Sequence, residues 1–176
     1  MIVRDATSDD VAAMAAIYDH AIVHSDAIWL DEPLGAERFT PAIERHRVAG
    51  DPMIVAEVDG QVIGYASYGP FRSLAGYATT AEHSVFVRDG HQGRGIGQAL
   101  LDELIARACS QDLAVMVAAI DSSNTGSIRF HERNDFRVVG RMPGVGRKHG
   151  RPVDLVLMQR ELHPADIQDT SHDHSP

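Results

Sequence analysis

Ser84-Val85-Phe86-Val87-Arg88-Asp89-Gly90-His91-Gln92-Gly93-Arg94-Gly95-Ile96-Gly97-Gln98 is the stretch that decides how the chain of 176 residues is read. Its first four residues are strand-like, and its centre is polar and rich in glycine. It runs straight into Ile96, Leu100, Leu101, Leu104, Ile105 and Ala108, which recur at helical spacing with Asp102, Glu103 and Arg107 opposite. Strand, glycine turn and helix in that order make an anion site. Unpaired N–H groups and the positive end of the helix dipole converge where glycine lets a ligand approach closely. A phosphorylated small molecule is the expected occupant.

Two other phosphate motifs compete. Gly93-Arg94-Gly95-Ile96-Gly97 precedes a helix and Asp121 closes the next strand, as in a dinucleotide fold. That fingerprint needs glycine where this chain has Gln98, and the motif lies mid-chain with too few later strand–helix units. A P-loop needs Gly-Lys-Ser/Thr, which does not follow. A helix entry built of glycine with no ligand is the bland reading.

Towards the N-terminus, the apolar runs Met53 to Val58 and Gln61 to Tyr68 are joined by Asp59-Gly60, which predicts an antiparallel hairpin. Gly69-Pro70 predicts the end of its second strand and a loop to Gly76. Ile2 to Ala6 alternates like a strand. Thr7-Ser8-Asp9-Asp10 then caps a helix carrying Val11, Met14, Ala15, Tyr18 and Ile22 and ending near Ser25. Asp31 to Gly35 reads as a loop, and Phe39, Ile43 and Arg47 suggest a second helix ending at Gly50.

Towards the C-terminus, the continuous apolar run Val115 to Ile120 predicts a strand buried on both faces, hence a parallel pairing inside a sheet. Asp121-Ser122-Ser123-Asn124 caps a short helix to about Asn134. Strands from Arg137 towards Met142 and from Val153 to Arg160 flank a basic hairpin, Pro143 to Gly150. The expected architecture is one α/β domain over residues 1–162: a mixed, twisted sheet of six or seven strands flanked by about four helices. Residues 163–176 read as a polar, disordered tail.

With 44% hydrophobic and 23% charged residues, the composition excludes a disordered or low-complexity chain. No apolar stretch approaches the ~18 residues of a membrane span, and the start lacks a secretory layout, so the chain reads as cytoplasmic with no membrane partner. A net charge of -9 has the wrong sign for a non-specific nucleic-acid binder. Cys109 sits on the apolar helix stripe and reads as a core residue rather than a nucleophile. His20 and His24 are four apart on the first helix, but no third ligand is placed, so no metal is expected.

Gln92-Gly93-Arg94-Gly95-Ile96-Gly97 resembles the Gln/Arg-x-x-Gly-x-Gly/Ala pyrophosphate loop of the GCN5-related N-acetyltransferase (GNAT) superfamily. Ala27-Ile28-Trp29, Gly64-Tyr65-Ala66-Ser67, Ala81-Glu82-His83-Ser84-Val85-Phe86-Val87, Ser127-Ile128-Arg129-Phe130-His131 and Lys148-His149-Gly150 are similar to its phosphinothricin and methionine sulfoximine N-acetyltransferase branch. Together the matches extend over nearly all of the predicted domain. The resemblance implies a GNAT-type domain, acetyl-CoA as cosubstrate and a homodimer. It further implies direct acetylation of the α-amino group of a small amino acid or analogue in a ternary complex. The rivals are acetylation of another amine, such as a polyamine, an aminoglycoside or a protein N-terminus, and a regulatory acetyl-CoA-binding module without turnover.

The resemblance also implies roles for residues. Loop residues Gln92, Gly93, Arg94, Gly95, Ile96, Gly97 and Gln98 would cradle the diphosphate, and the main chain of Val85, Phe86 and Val87 would bind the thioester carbonyl and pantetheine arm. Asn124 would hydrogen-bond that arm, and Arg133 is either a phosphate contact or a solvated cation. Glu82 is the implied general base. His131, where many relatives carry tyrosine, is either the general acid or a satisfied helix histidine. A guanidinium suits an amino-acid carboxylate, so Arg72 is the candidate anchor, with Ala75, Gly76 and Tyr77 as rim and Trp29 as apolar wall. Arg147, Lys148 and Arg151 form a basic cluster, either a solvated turn or, as in relatives, a loop reaching the neighbouring subunit. The chain departs from the family at Asn134-Asp135-Phe136, where Leu-Gly-Phe is usual. His149 follows the phosphinothricin type, whereas Ala27-Ile28-Trp29 follows the methionine sulfoximine type.

Overall fold

The computed structural model describes residues 1–163, so the expected tail lies, apart from its first residue, outside the described residues. Seven strands form one sheet: β1 (Ile2–Asp5), β2 (Met53–Val58), β3 (Gln61–Pro70), β4 (Thr80–Val87), β5 (Val115–Asp121), β6 (Arg137–Lys148) and β7 (Arg151–Glu161), in the order β1-β2-β3-β4-β5-β7-β6. Four helices flank it: α1 (Val11–His24), α2 (Phe39–Ala49), α3 (Ile96–Ser110) and α4 (Thr125–Glu132). Side chains alternate between two faces along each strand. Leu100, Leu101 and Leu104 of α3 pack on Ile54, Ala66 and Met116, with Ile128 and Phe130 of α4 against the same core. Met14 and Ile17 of α1 and Phe39 of α2 pack with Val55 and Tyr65 on the opposite face.

The hairpin forms as predicted, because Asp59 and Gly60 both take positive φ, 50° and 76°, the geometry that matches the twist of two adjoining strands. At the start of α1, Arg4 makes two 2.8 Å bonds to the Asp10 carboxylate, which also accepts from the Thr7 amide at 2.8 Å. The Arg4 guanidinium holds this buried carboxyl below the usual carboxylate range.

Three expectations need correction. Strand β4 begins at Thr80, not Ser84, and β3 continues through Gly69 and Pro70, which pair with Glu82 and Ala81. Proline is tolerated there because it ends the strand, and the following Phe71 amide donates to Thr80. Glu82 therefore lies inside a strand rather than before one. Next, β6 runs unbroken to Lys148, and the turn is only His149-Gly150, both at positive φ. The residues that looked like a loop sit in register shifts at Val138/Gly140 and Met142/Gly146. At the family departure nothing is overturned: Asp135 takes φ 63°, the conformation for which glycine is usual, so the turn after α4 keeps its shape. Cys109 is half-buried against the core edge rather than inside it.

Lys148 is not solvated: it is 2% exposed. Its Nζ donates to the carbonyls of Ile22, Ser25 and Ile28 at 2.7, 2.6 and 2.7 Å. The ammonium thus closes the C-terminal end of α1, where helix carbonyls lack partners and cations are favoured. His149 N–H donates to Asp31 on the same loop. Replacing Lys148→Met fills the space but strands three carbonyls, so urea unfolding should show a loss of about 3 kcal/mol.

Candidate functional site

Among the described residues only β4 and β5 run parallel, and their ladder covers three pairs, ending at Glu82↔Val117. Beyond it β4 pairs only with β3, and β5 only with β7. One backbone edge of residues 84–87 is therefore open. It faces a groove of about 870 Å³ whose far end is the glycine loop and the first turn of α3. Among the described residues, no backbone N–H from 92 to 98 donates to a protein acceptor. Gly95, at φ 81°, lets the chain turn into α3 with those amides clustered. Such an array of unpaired donors at a helix N-terminus fits a phosphate group.

Most residues expected at the cofactor line this groove: Val85, Phe86, Val87, Gln92, Gly93, Gly95, Gly97, Gln98, Asn124 and Arg133. Arg94 and Ile96 do not, the Ile96 side chain being buried in the core. The Gln98 amide is turned to Asp102 and Asn134. Asn124 caps α4 by accepting from the Ser127 amide at 3.0 Å.

Glu82 stands where the ladder ends, and burial pushes its carboxyl up against the opposing effect of Arg72. The Arg72 guanidinium is 4.0 Å from the carboxylate and lies over the Phe71 ring. Tyr77, in the 3-10 turn Ala75–Tyr77, meets the same ring edge-on. Arg72 is thus brought beside Glu82 and Tyr77 against Phe71, whereas Trp29 lies elsewhere.

Trp29 lines a separate cavity of about 520 Å³ with Tyr18, Phe39, Phe86, Ser84 and the cations Arg38 and Arg45. Its indole N–H donates to Asp121 at 2.9 Å. The carboxylate considered for a ribose is therefore engaged by protein, because it also accepts from Ser123. Phe86 and Ala27 line both cavities, so β4 is the wall they share.

His131 lines the groove but is 6% exposed, and both ring nitrogens face protein atoms. Its Nδ1 is 2.8 Å from the Ser127 carbonyl, and its Nε2 is 3.1 Å from Nε2 of His83. His83 reaches the Val117 carbonyl with Nδ1 at 3.0 Å, at the point where the ladder stops. Burial, followed by the neighbouring His131, lowers His83 to about 3. Burial also lowers His131, opposed by the Ser127 carbonyl.

Sequence reasoning missed His83, Ser127, Arg38 and the burial of Lys148. The alternation of β4 places His83 on the face shared with Ala81 and Val85, a signal present once the strand is given its true length. Rings of His20 and His24 lie 4.3 Å apart, tilted by 39°, along the groove wall, but among the described residues no group of three potential metal ligands comes together.

The acetyltransferase (GNAT) family profile matches residues 14–136. An L-methionine sulfoximine/L-methionine sulfone acetyltransferase of Salmonella typhimurium is 44% identical over 164 residues, 92% of this chain and 95% of that protein. A phosphinothricin N-acetyltransferase of Alcaligenes faecalis is 36% identical, over 94% of this chain and 83% of that protein. The solved structure of yncA from Salmonella typhimurium, with its cofactor acetyl-CoA, is similar at TM-score 0.88 and 41% identity, covering 99% of each chain.

The setting of Trp29 is testable. A Cβ added at Gly146 would lie 2.2 and 2.4 Å from its ring. Trp29 is the single tryptophan of the chain, so Gly146→Ala should shift its fluorescence to the red and lower stability by about 1–3 kcal/mol.

Proposed function

The chain belongs to the acetyltransferase (GNAT) family, and from that premise we propose that it moves the acetyl group of acetyl-CoA to the α-amino group of a small amino acid or analogue. Methionine sulfoximine and methionine sulfone are the preferred acceptors, ahead of phosphinothricin, following the 44% against 36% identity to proteins named for those activities. One observation carries the reading. The parallel ladder stops at Glu82↔Val117, so β4 carries a half-buried carboxylate at the point of divergence and, from Val85 on, an open edge over a groove whose far end is a row of unpaired loop amides.

The amides of 92–98 hold the diphosphate, and the open edge of β4 holds the pantetheine arm. When bound, acetyl-CoA supplies an activated acyl group. Glu82 removes a proton from the acceptor ammonium, directly or through water, and its raised pKa makes it a better base than a solvated carboxylate. Main-chain N–H groups of Val85 and Val87, on the open edge, polarise the thioester carbonyl, the Phe86 N–H being turned to β3. His131 returns a proton to the leaving sulfur. Arg72 takes the acceptor carboxylate, with Tyr77 at the rim.

The working unit is a homodimer. Strand β6 is a free sheet edge that exposes Val138, Val139, Met142 and Val145, an apolar row that a second copy would cover. No helix of the described residues is long and apolar enough to cross a membrane. We assign the enzyme to the cytoplasm, where a chain with one cysteine needs no disulfide.

Thiol release from acetyl-CoA, with each acceptor offered separately beside a blank, should be acceptor-dependent and strongest with the sulfoximine or sulfone. Release with none of them moves the assignment to a different amine. Glu82→Gln should keep acetyl-CoA binding and lose about 10²-fold in turnover. In the wild type kcat/KM should fall on acidification through a pKa above the ordinary carboxylate value, because the base form is lost. Unchanged turnover in the mutant removes Glu82 from the mechanism.

A further inference from the structure

Two neutral imidazoles carry one ring proton each, and four contacts around His83 and His131 compete for those protons. The Val117 carbonyl can only accept, so His83 carries its proton on Nδ1 and presents a bare Nε2. That nitrogen is 3.1 Å from Nε2 of His131, which must then be protonated. Nδ1 of His131 faces a carbonyl as well, so two protons leave one contact unmet, and of these nitrogens it alone has a second donor beside it, the Ser127 hydroxyl, which makes it the one that titrates. It is 2.8 Å from the Ser127 carbonyl and 3.4 Å from the Ser127 hydroxyl, both on the groove side of α4. Neutral, it accepts from the hydroxyl; protonated, it donates to the carbonyl.

We propose that His83 is a positioning residue for acetyl transfer: it pins a proton on Nε2 of His131, so that His131 exchanges protons with the groove only through Nδ1, beside Ser127. This rests on the reading of His131 as the proton donor to the leaving sulfur. In that step the Ser127 O–H bond breaks as an S–H bond forms on the thiolate. The proton on His131 Nδ1 moves to Ser127 Oγ, and the imidazolium becomes the neutral Nε2–H ring. One proton per turnover returns to His131 from the groove, balanced overall by those the acceptor nitrogen gives up, and His83 keeps its own proton throughout.

The surroundings leave the pair to itself. Phe130 and Phe136 wall the rings, and among the described residues no carboxylate or cation acts on either one. Burial opposes protonation of both, so the doubly charged state is excluded and only His131, with a carbonyl ready at Nδ1, has a place for the extra proton.

Two-bond 15N–1H spectra of the histidine-labelled protein at neutral pH read the tautomers without reference to activity. The expected pattern is Nε2 protonated and Nδ1 bare for His131, with the reverse for His83. A bare Nε2 on His131 overturns the proposal. In His83→Leu the acceptor is gone, and His131 should move its proton to Nδ1, with kcat down about 10²-fold and the KM for acetyl-CoA near that of the wild type. His83→Gln offers an amide oxygen to His131 and an amide N–H to Val117, and should restore both the spectrum and most of the rate. An unchanged His131 pattern in His83→Leu also overturns it. Ser127→Ala should cost kcat in the same way, and full kcat there removes the hydroxyl from the path. Loss of activity in Glu82→Gln tests the other half of the mechanism and leaves the tautomer result standing by itself.

Discussion

Beyond Glu82 and Val117 the central strands no longer pair, and each backbone group on the two edges that face one another must find a partner elsewhere or stay with solvent. A deficit of that kind in the middle of a seven-stranded sheet is tolerable only if the fold keeps the gap open. Strand β3 holds one side of it through Ser84 to Val87, and β7 holds the other through Ala118 to Asp121. The imidazole of His83 takes the Val117 carbonyl at the point of divergence, so the split begins with a satisfied acceptor. The groove, with the loop amides at its far end, and the place of Glu82 at the last paired residues all follow from this interrupted pairing.

Local signals were legible and distant ones were not. Asp59-Gly60 and the glycine entry to α3 encode their own backbone conformations, so their reading needed no knowledge of neighbours. Val115 to Ile120 correctly announced a parallel neighbour, yet its continuous apolar character concealed that Ala119 faces a cavity. The length of β6 was hidden by Gly140, Pro143, Gly144 and Gly146, residues that break a strand unless bulges absorb them, as they do here.

The site residues divide along the same line. Glu82 and the glycine loop were legible as motifs of the family, although the strand around Glu82 was drawn too short. The His83–His131 contact joins residues 48 apart and depends on how α4 lies over the split, which no local pattern specifies. Arg72 and Trp29, expected to share a pocket, flank different parts of β4. Trp29 is fixed instead by Asp121 and by the bare backbone of Gly146, through the loop that Lys148 fastens to α1.

That fastening has a chemical side. Lys148 is the only lysine in the sequence, and the remaining basic side chains apart from histidine are arginines. Its amine is sealed from solvent with its protons committed to three carbonyls, whereas guanidinium groups stay charged and are poor nucleophiles. A protein that works in the presence of a reactive thioester thus offers it no surface lysine to acylate. An acyl donor or an amine-directed label that met the folded domain would find no lysine side chain within reach.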